Sequence, residues 1–255
     1  MKRIQFVELH EQPWFPAFLR SDITDTLQCG LDLSGVYGSV LPLLQCALKA
    51  TGALAVIDLC SGSGGPWFDL GRRLKRDGLR VFLTDKYPHP ATWGNPERCS
   101  EIGIRFFGES VDARQVPVKL DGFRTMFTSF HHFPPVDAQA IIRNAVSAKQ
   151  GIGIFEVTRR SPSAIILISL WSIASFFFIP FVRPFRWSRL FCTYLIPIIP
   201  LVLLFDGVVS CLRTYEASEL QSMVGRLNAD GYNWQTGELR GSSRSVAVTY
   251  LIGYP

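Results

Sequence analysis

The sequence predicts an α/β protein: a mostly parallel sheet with helices on both faces, interrupted by an apolar helical insertion. Residues Ala55–Leu59 form an apolar run suited to a buried parallel strand, broken only by Asp58, and three glycines follow within four positions. Strand-like and helix-like stretches then alternate as far as residue 158. Beyond it, Ala164–Val182 contains no charged residue. A chain of 255 residues fits one α/β domain with an insertion, or at most two small domains.

We expect four segments along the chain. Residues 1–52 form an N-terminal helical cap, 53–161 an α/β core, 162–206 a hydrophobic hairpin insertion, and 207–255 a helix and two strands that complete the core. Aromatic residues at helix-compatible spacing support the cap, and a helix that Gly52 ends leads into the first strand.

Composition narrows the function classes. Only 18% of residues are charged, which points to an unusually apolar surface somewhere on the protein. The net charge is +5, but arginine and lysine are spread along the chain without a basic run, so nucleic acid is not an expected partner. Six cysteines without a C-x-x-C pair or a metal-like grouping with the four histidines favour reduced thiols in a cytosolic setting. The N-terminus lacks the apolar stretch of a secretory signal.

The glycine-rich loop after the first strand is the first candidate ligand site. Glycine lets the backbone turn sharply, and Pro66 stands where a helix would begin. Strand, tight loop and helix N-terminus together present backbone N–H groups to a nucleotide or a carboxylate. The dinucleotide fingerprint fits less well, because Trp67 stands where its third glycine should allow close helix packing. A plain glycine-rich turn is the other interpretation.

The same loop resembles motif I of the class I S-adenosylmethionine-dependent methyltransferases, an acid followed by glycines at every second position. Asp58, Gly62 and Gly64 match that motif, and Cys60 stands where the first glycine usually lies. The resemblance implies a Rossmann-like sheet of seven strands with S-adenosylmethionine at the carboxyl ends of strands one to four. It assigns Asp58, Cys60, Gly62 and Gly64 to cofactor binding.

Two further acids follow predicted strands. Asp85 comes directly after the second strand, Arg80–Thr84, where it could accept hydrogen bonds from both ribose hydroxyls; a solvated turn residue is the alternative. The third strand, Ile104–Phe107, precedes Asp112 and Ala113. In the resemblance, this acid and the small residue after it form motif III, whose carboxylate takes the adenine amino group.

A histidine pair follows the fourth predicted strand, Phe123–Phe130. In the resemblance, the transferable methyl group faces an acceptor at the end of this strand. His131 or His132 could deprotonate a hydroxyl there, because the ordinary pKa of histidine lies near working pH. The alternative is that the imidazoles cap the following helix, which runs from Val136 to about Lys149, or pack on the cofactor. The sequence favours neither histidine over the other.

Glu156 interrupts the otherwise apolar fifth strand, Gly151–Thr158. A buried carboxylate is costly unless it is paired. We therefore expect an arginine to hold it, or the substrate to face it. The candidate arginines are Arg159, Arg160 and Arg213.

The insertion contains two nearly uncharged stretches, Ala164–Val182 and Leu190–Phe205, joined by a connector with three arginines. Two full membrane spans would carry these arginines across the bilayer, against the positive-inside tendency. Both flanks belong to one sheet, so a re-entrant or interface-lying hairpin is predicted, with Trp171, Trp187 and Tyr194 near the headgroups. The alternative is a buried helical pair in a soluble protein.

Together these features predict a methyltransferase at the cytoplasmic side of a membrane, which residues 164–205 contact. Its acceptor would be small and lipophilic, such as a quinone precursor, a lipid or a polyketide-like phenol, and the hairpin would serve as lid and membrane dock. The alternatives are a membrane-associated binding or assembly protein that retains the fold, and an enzyme that transfers another part of S-adenosylmethionine. A protein or RNA acceptor is disfavoured, because Ser129-Phe130-His131-His132 replaces any Asn-Pro-Pro-Tyr-like signature.

Overall fold

The computed structural model describes residues 1–74, 78–88, 103–227, 229–240 and 246–255. These residues form two compact units. The sheet unit comprises Gly35–Val157 and Glu216–Pro255, and the insertion unit comprises Met1–Ser34 and Thr158–Tyr215.

Seven strands form one mixed sheet in the sheet unit. They are β1 (Ala55–Leu59), β2 (Arg80–Thr84), β3 (Ile104–Phe106), β4 (Phe123–Phe127), β5 (Ile152–Glu156), β6 (Asn233–Arg240) and β7 (Ala247–Tyr254). Their order is β3-β2-β1-β4-β5-β7-β6. The first five strands are parallel to one another, and β7 runs antiparallel between β5 and β6. The predicted α/β fold is confirmed, and the two strands expected to complete the core form its antiparallel edge.

Eight α-helices lie within the described residues. They are α1 (Ala17–Ser34), α2 (Leu41–Thr51), α3 (Trp67–Leu74), α4 (Pro135–Ser147), α5 (Pro162–Phe178), α6 (Trp187–Leu190), α7 (Ile198–Arg213) and α8 (Ala217–Gly225). Short 3₁₀ or π turns cover Val36–Val40, Phe130–His132, Ile179–Phe181 and Phe191–Leu195. The sequence also predicts a helix over Trp67–Lys75 and a strand over Ser245–Ile252. Lys75 and Ser245, like Cys99, lie outside the described residues.

The central strands are buried on both faces, which explains their continuous apolar sequence. Every residue of β4 and β5 is buried, as expected for parallel strands covered by helices on both sides. Helix α4 buries Ala138, Ile141, Ile142 and Ala145, whose spacing lines one helical face. These two strands therefore lie in the apolar interior of the sheet unit.

The predicted fourth strand is too long. It was expected to reach Phe130, but β4 ends at Phe127 because Thr128 has a φ of +43°, outside the range of an extended strand. Phe130–His132 then form a 3₁₀ turn. The change of direction moves the histidine pair out of the strand and into the turn at its carboxyl end.

In the insertion unit, α1 and the hairpin share one apolar core. This core consists of Phe15, Leu19, Ile23, Ile179, Cys192, Ile199, Val202 and Leu203. The helices approach closely at two glycines, since an added Cβ at Gly30 would lie 2.3 Å from the Trp171 ring and one at Gly207 would lie 2.7 Å from Ile168. The segment expected as a single cap, residues 1–52, is accordingly divided, with α1 in the insertion unit and α2 in the sheet unit.

A buried ionic cluster joins α1 to the connector of the hairpin. Arg189, which is 1% exposed, lies 2.7 Å from Asp25 and 3.4 Å from Asp22. Arg186 lies 3.4 Å from Asp22 and 3.5 Å from Asp25. Ser188 donates a hydrogen bond to Asp22 at 2.9 Å. Two of the three connector arginines are thus neutralised by carboxylates of the protein itself; the cluster of Asp22, Asp25, Arg186 and Arg189 carries no net charge.

One stretch, Pro162–Phe181, is long and apolar enough to cross a membrane, and only 17% of it is buried. Trp187–Leu195 and Ile198–Arg213 meet the same criterion as a pair, but a bend of 80° separates them. Length and composition alone therefore leave several membrane arrangements open for this hairpin.

We predict that Asp25→Asn destabilises the insertion unit by about 3–5 kcal/mol, because it leaves the buried Arg189 guanidinium without its nearest carboxylate. Asp32→Asn, at an exposed position on the same helix, should change the unfolding free energy by less than about 0.5 kcal/mol. Chemical denaturation in detergent micelles measures both. Equal stability of the two variants would contradict the role given to the ion pair.

Candidate active site

The candidate site lies at the carboxyl ends of the parallel strands, where doubly wound sheets bind their ligands. Asp58 is the fourth residue of β1, Asp85 follows β2 directly, and Glu156 ends β5. Parallel pairing of β2, β1, β4 and β5 brings these ends to one edge of the sheet. The fold therefore collects residues that are far apart in the sequence.

The loop after β1 contains an unusual run of left-handed backbone. Gly62 has a φ of +53°, and Gly64 has a φ of +121° with its Cα so close to Phe68 that an added Cβ would lie 2.4 Å from the ring. Cys60 also has a positive φ, +58°. A conformation that favours glycine explains why related loops carry glycine there, and Cys60 adopts it at a cost in backbone strain.

Asp58 is 1% exposed, and the Thr125 hydroxyl donates a hydrogen bond to its carboxylate at 2.6 Å. Burial raises the pKa of Asp58 to about 6, although the hydrogen bond from Thr125 partly offsets the effect. Because β4 lies beside β1 with Thr125 opposite Asp58, the sheet register creates this contact. The first motif residue is thus a buried carboxyl that titrates near neutral pH.

Asp85 ties the end of β2 to the glycine loop. Its Oδ2 accepts a hydrogen bond from the backbone N–H of Gly62 at 3.0 Å, and its Oδ1 accepts one from the backbone N–H of Tyr87 at 2.8 Å. The carbonyl of Asp85 also accepts from the N–H of Val111. The structure therefore brings together the predicted ribose-binding acid, the glycine loop and the segment that precedes Asp112.

Asp112 lies beside basic residues. The Arg114 side chain donates to both of its oxygens, at 2.9 and 2.6 Å, and Lys86 lies 4.0 Å away. Hydrogen bonding by Arg114 lowers the pKa of Asp112 to about 2, so the carboxylate is ionised at neutral pH. Ala113, beside it in sequence, is buried. The motif III acid is therefore fixed as an anion in a charged network.

His131 and Glu156 form a buried pair at the ends of β4 and β5. Nδ1 of His131 lies 2.6 Å from Oε2 of Glu156, and each side chain is 1% exposed. Oε1 of Glu156 accepts backbone hydrogen bonds from Ser129, Phe130 and His131, at 3.1, 2.7 and 3.3 Å. Burial alone would raise the pKa of Glu156, but the His131 imidazole and the Phe130 N–H outweigh it, so the pKa lies below its ordinary value.

His132 occupies a different environment from His131. Its ring packs against the ring of His131, with centroids 4.2 Å apart, and the residue is half-buried. The contact of Nδ1 with the Glu156 carboxylate distinguishes His131 from His132.

Sequence reasoning missed two features of this region. It considered arginines or the substrate as partners of Glu156, but not His131, which only the pairing of β4 with β5 brings close. It also missed Tyr37, whose hydroxyl is hydrogen-bonded to that of Thr128 and whose pKa burial raises well above its ordinary value. The Tyr37 ring meets Phe127 edge to face. No spacing signal links residue 37 to β4.

Asp58→Asn should reveal the raised pKa of Asp58. Between about pH 4 and pH 6, Asp58 is ionised in the unfolded protein but still protonated in the folded protein. The unfolding free energy of the parent protein therefore falls as the pH rises through this range. A pKa difference of about two units corresponds to about 3 kcal/mol. The stability of Asp58→Asn relative to the parent protein should therefore rise by that amount from pH 4 to pH 7 in denaturation experiments. Asp69→Asn removes an exposed aspartate as control; an identical pH profile for both variants would refute the assignment.

No protein-family model matches the sequence, and no curated protein matches it. Solved structures do resemble the fold. A proposed O-methyltransferase from Nostoc punctiforme PCC 73102 is 14% identical, with a TM-score of 0.54 over 100% of this chain and 64% of that chain. Magnesium protoporphyrin IX methyltransferase from Synechocystis PCC 6803, with bound S-adenosylmethionine, is 15% identical and has a TM-score of 0.47, covering 96% of this chain and 88% of that one.

The methyltransferase domain of a bacterial Hen1 protein is 13% identical, with a TM-score of 0.47 over 85% of this chain and 98% of that chain. The likeness to the Nostoc structure has a TM-score above 0.5, and this chain's sheet has the order β3-β2-β1-β4-β5-β7-β6 with an antiparallel β7. On these grounds, the chain has the fold of the class I S-adenosylmethionine-dependent methyltransferases.

Proposed function

We propose that the protein binds S-adenosylmethionine and transfers its methyl group to a hydroxyl of a small lipophilic acceptor at a membrane surface. The main support for S-adenosylmethionine binding is the hydrogen bond between Asp85 and the backbone N–H of Gly62. It holds an acidic side chain beside a glycine loop at the carboxyl end of a class I sheet, where this fold places its ligands.

The residues of the loop fit such a cofactor. Gly62 and Gly64 leave room for close approach of a ligand to the backbone, and Asp85 offers carboxylate oxygens at the position expected for ribose hydroxyls. Asp58 and Cys60 line the start of the same loop, and Asp112 with Ala113 remains the proposed adenine contact. When bound, S-adenosylmethionine supplies an electrophilic methyl group, while these residues hold and orient it.

His131 is the proposed general base. Glu156 holds Nδ1, so proton transfer from an acceptor hydroxyl falls to Nε2 of the same ring. The ionised Glu156 stabilises the imidazolium that forms, and its three backbone hydrogen bonds keep it in place. A base is needed for a hydroxyl acceptor, which favours transfer to oxygen over transfer to a more reactive nucleophile.

The insertion unit supports a lipophilic acceptor. Large apolar side chains on α5, including Ile166, Leu170, Ile173 and Phe177, are 57–80% exposed. An exposed apolar surface of this kind marks a membrane or protein interaction site. Helix α5 begins six residues after β5 ends, so this surface follows Glu156 closely in the sequence. We propose the cytoplasmic side of a membrane as its location.

Calorimetric titration with S-adenosylmethionine tests the cofactor site. We expect micromolar binding by the detergent-solubilised protein and a loss of about 10-fold or more in affinity for Asp85→Ala, which removes the proposed ribose contact. Glu109→Ala, an exposed acid paired with Lys119, should bind like the parent protein. If the parent protein does not bind S-adenosylmethionine, the glycine loop has only a structural role, and a membrane-bound scaffold protein becomes the favoured function.

Methyl transfer should depend on the His131–Glu156 pair. Glu156→Gln and His131→Asn are each expected to lower kcat by about 10²–10⁴-fold with phenolic acceptors, because general-base catalysis contributes that much. Their affinity for S-adenosylmethionine should stay within about two-fold of the parent value. His132→Asn serves as the neighbouring control and should retain most of the activity. Equal losses in His131→Asn and His132→Asn would contradict the assignment of His131 as base.

A further inference from the structure

The insertion unit exposes apolar side chains on several elements. Among residues 164–205, all of which the structure describes, Arg183 is the one exposed charged side chain. Around it, Phe181 is 74% exposed, Phe185 45% and Trp187 77%. An arginine among exposed aromatic side chains is the composition of a membrane–water interface, where rings lie at the headgroups and a guanidinium meets lipid phosphate.

The return arm of the hairpin is too short to cross a bilayer. The apolar part of α7 covers residues 198–205, about 12 Å of helix, whereas the hydrocarbon core is about 30 Å thick. It stops at Asp206, a buried residue whose carboxylate accepts hydrogen bonds from the backbone N–H groups of Leu9 and His10. The preceding segment, Trp187–Leu195, is bent from α7 by 80°. It therefore does not extend the length of α7 across a bilayer.

The apolar face of α5 also suits a helix that lies in the membrane plane. Its exposed large side chains recur at residues 166, 167, 170, 173 and 177, which share one side of the helix. The buried residues, Ser172 and Ser175, donate their hydroxyls to carbonyls of the same helix. One side of α5 thus faces outward along its length.

The buried ion pairs remove the charges that would oppose such docking. Asp22 and Asp25 neutralise Arg186 and Arg189 inside the insertion unit, so the connector presents one net positive charge, Arg183. An unpaired arginine in hydrocarbon costs at least about as much as several apolar side chains gain, so the pairing favours contact with lipid. The remaining cation matches an anionic lipid headgroup rather than a second, equally cationic copy of this face.

We infer that the insertion unit is a monotopic membrane anchor: α5 and the connector lie in the plane of one leaflet, with Arg183 at the lipid phosphates. This inference rests on the membrane association in the proposed function and defines its geometry. The apolar side chains of α5 enter the headgroup–acyl boundary, about 5–10 Å deep. Both ends of the hairpin then stay on the same side of the membrane.

Vesicle co-sedimentation tests the phosphate contact. We expect the parent protein to bind phosphatidylcholine vesicles and to bind more tightly when phosphatidylglycerol is included. Arg183→Gln should lose about five-fold in binding to the anionic vesicles. Arg143→Gln, an exposed arginine on α4 of the sheet unit, is the matched control and should bind as the parent does. Equal losses in the two variants, or no loss in Arg183→Gln, would overturn the placement of Arg183.

Depth-dependent quenching tests the in-plane geometry. Leu170→Trp places a fluorophore at the middle of α5, and the difference between the parent and Trp187→Phe isolates the signal of Trp187. Leu170→Phe is the non-fluorescent control at residue 170. With phosphatidylcholines brominated near the glycerol or near the chain end, we expect both fluorophores to be quenched mainly by the shallow bromines. Strongest quenching of residue 170 by the deep bromines would show that α5 spans the bilayer and overturn the inference.

Different results would disprove the proposed function and the inferred membrane anchor. If the parent protein binds neither kind of vesicle, the monotopic anchor and the membrane part of the proposed function are both wrong. Titration with S-adenosylmethionine in detergent is independent of that result, so the cofactor part stands or falls on its own. Vesicle binding with deep quenching overturns only the in-plane arrangement.

Discussion

The contacts of the Glu156 carboxylate are the interactions on which the carboxyl ends of β4 and β5 depend. A buried carboxylate must be compensated, and this one accepts three backbone hydrogen bonds from the turn after β4 and contacts His131. The same contacts that stabilise the charge therefore fix the turn and the orientation of the imidazole. Replacing the acid by an apolar residue would leave the turn's N–H groups unpaired as well as releasing His131.

The buried carboxyl of Asp58 is compensated differently from that of Glu156. It is equally buried, but the Thr125 hydroxyl is a neutral donor, and burial holds its pKa near 6. Glu156, with an imidazole and backbone donors, has a lowered pKa. Two carboxyl groups on one sheet thus differ in protonation tendency because their neighbouring strands present different donors, an arrangement common at functional sites.

In the insertion unit, buried ion pairs coexist with exposed apolar side chains. Asp22 and Asp25 pair with Arg189 in the interior, while aromatic side chains such as Phe177 and Trp187 are exposed. Burial of an ion pair costs desolvation, which good geometry only offsets.

The sequence by itself determined β1 and β2 to the residue, since apolar runs bounded by turn residues define buried strands, and it identified the glycine loop and the uncharged hairpin. Local patterns carry that information. Tertiary structure decided that Thr128 ends β4, that Glu156 meets His131, and that α1 packs with the hairpin. These contacts join residues distant in the chain, and no periodicity encodes which strand or helix will lie beside another.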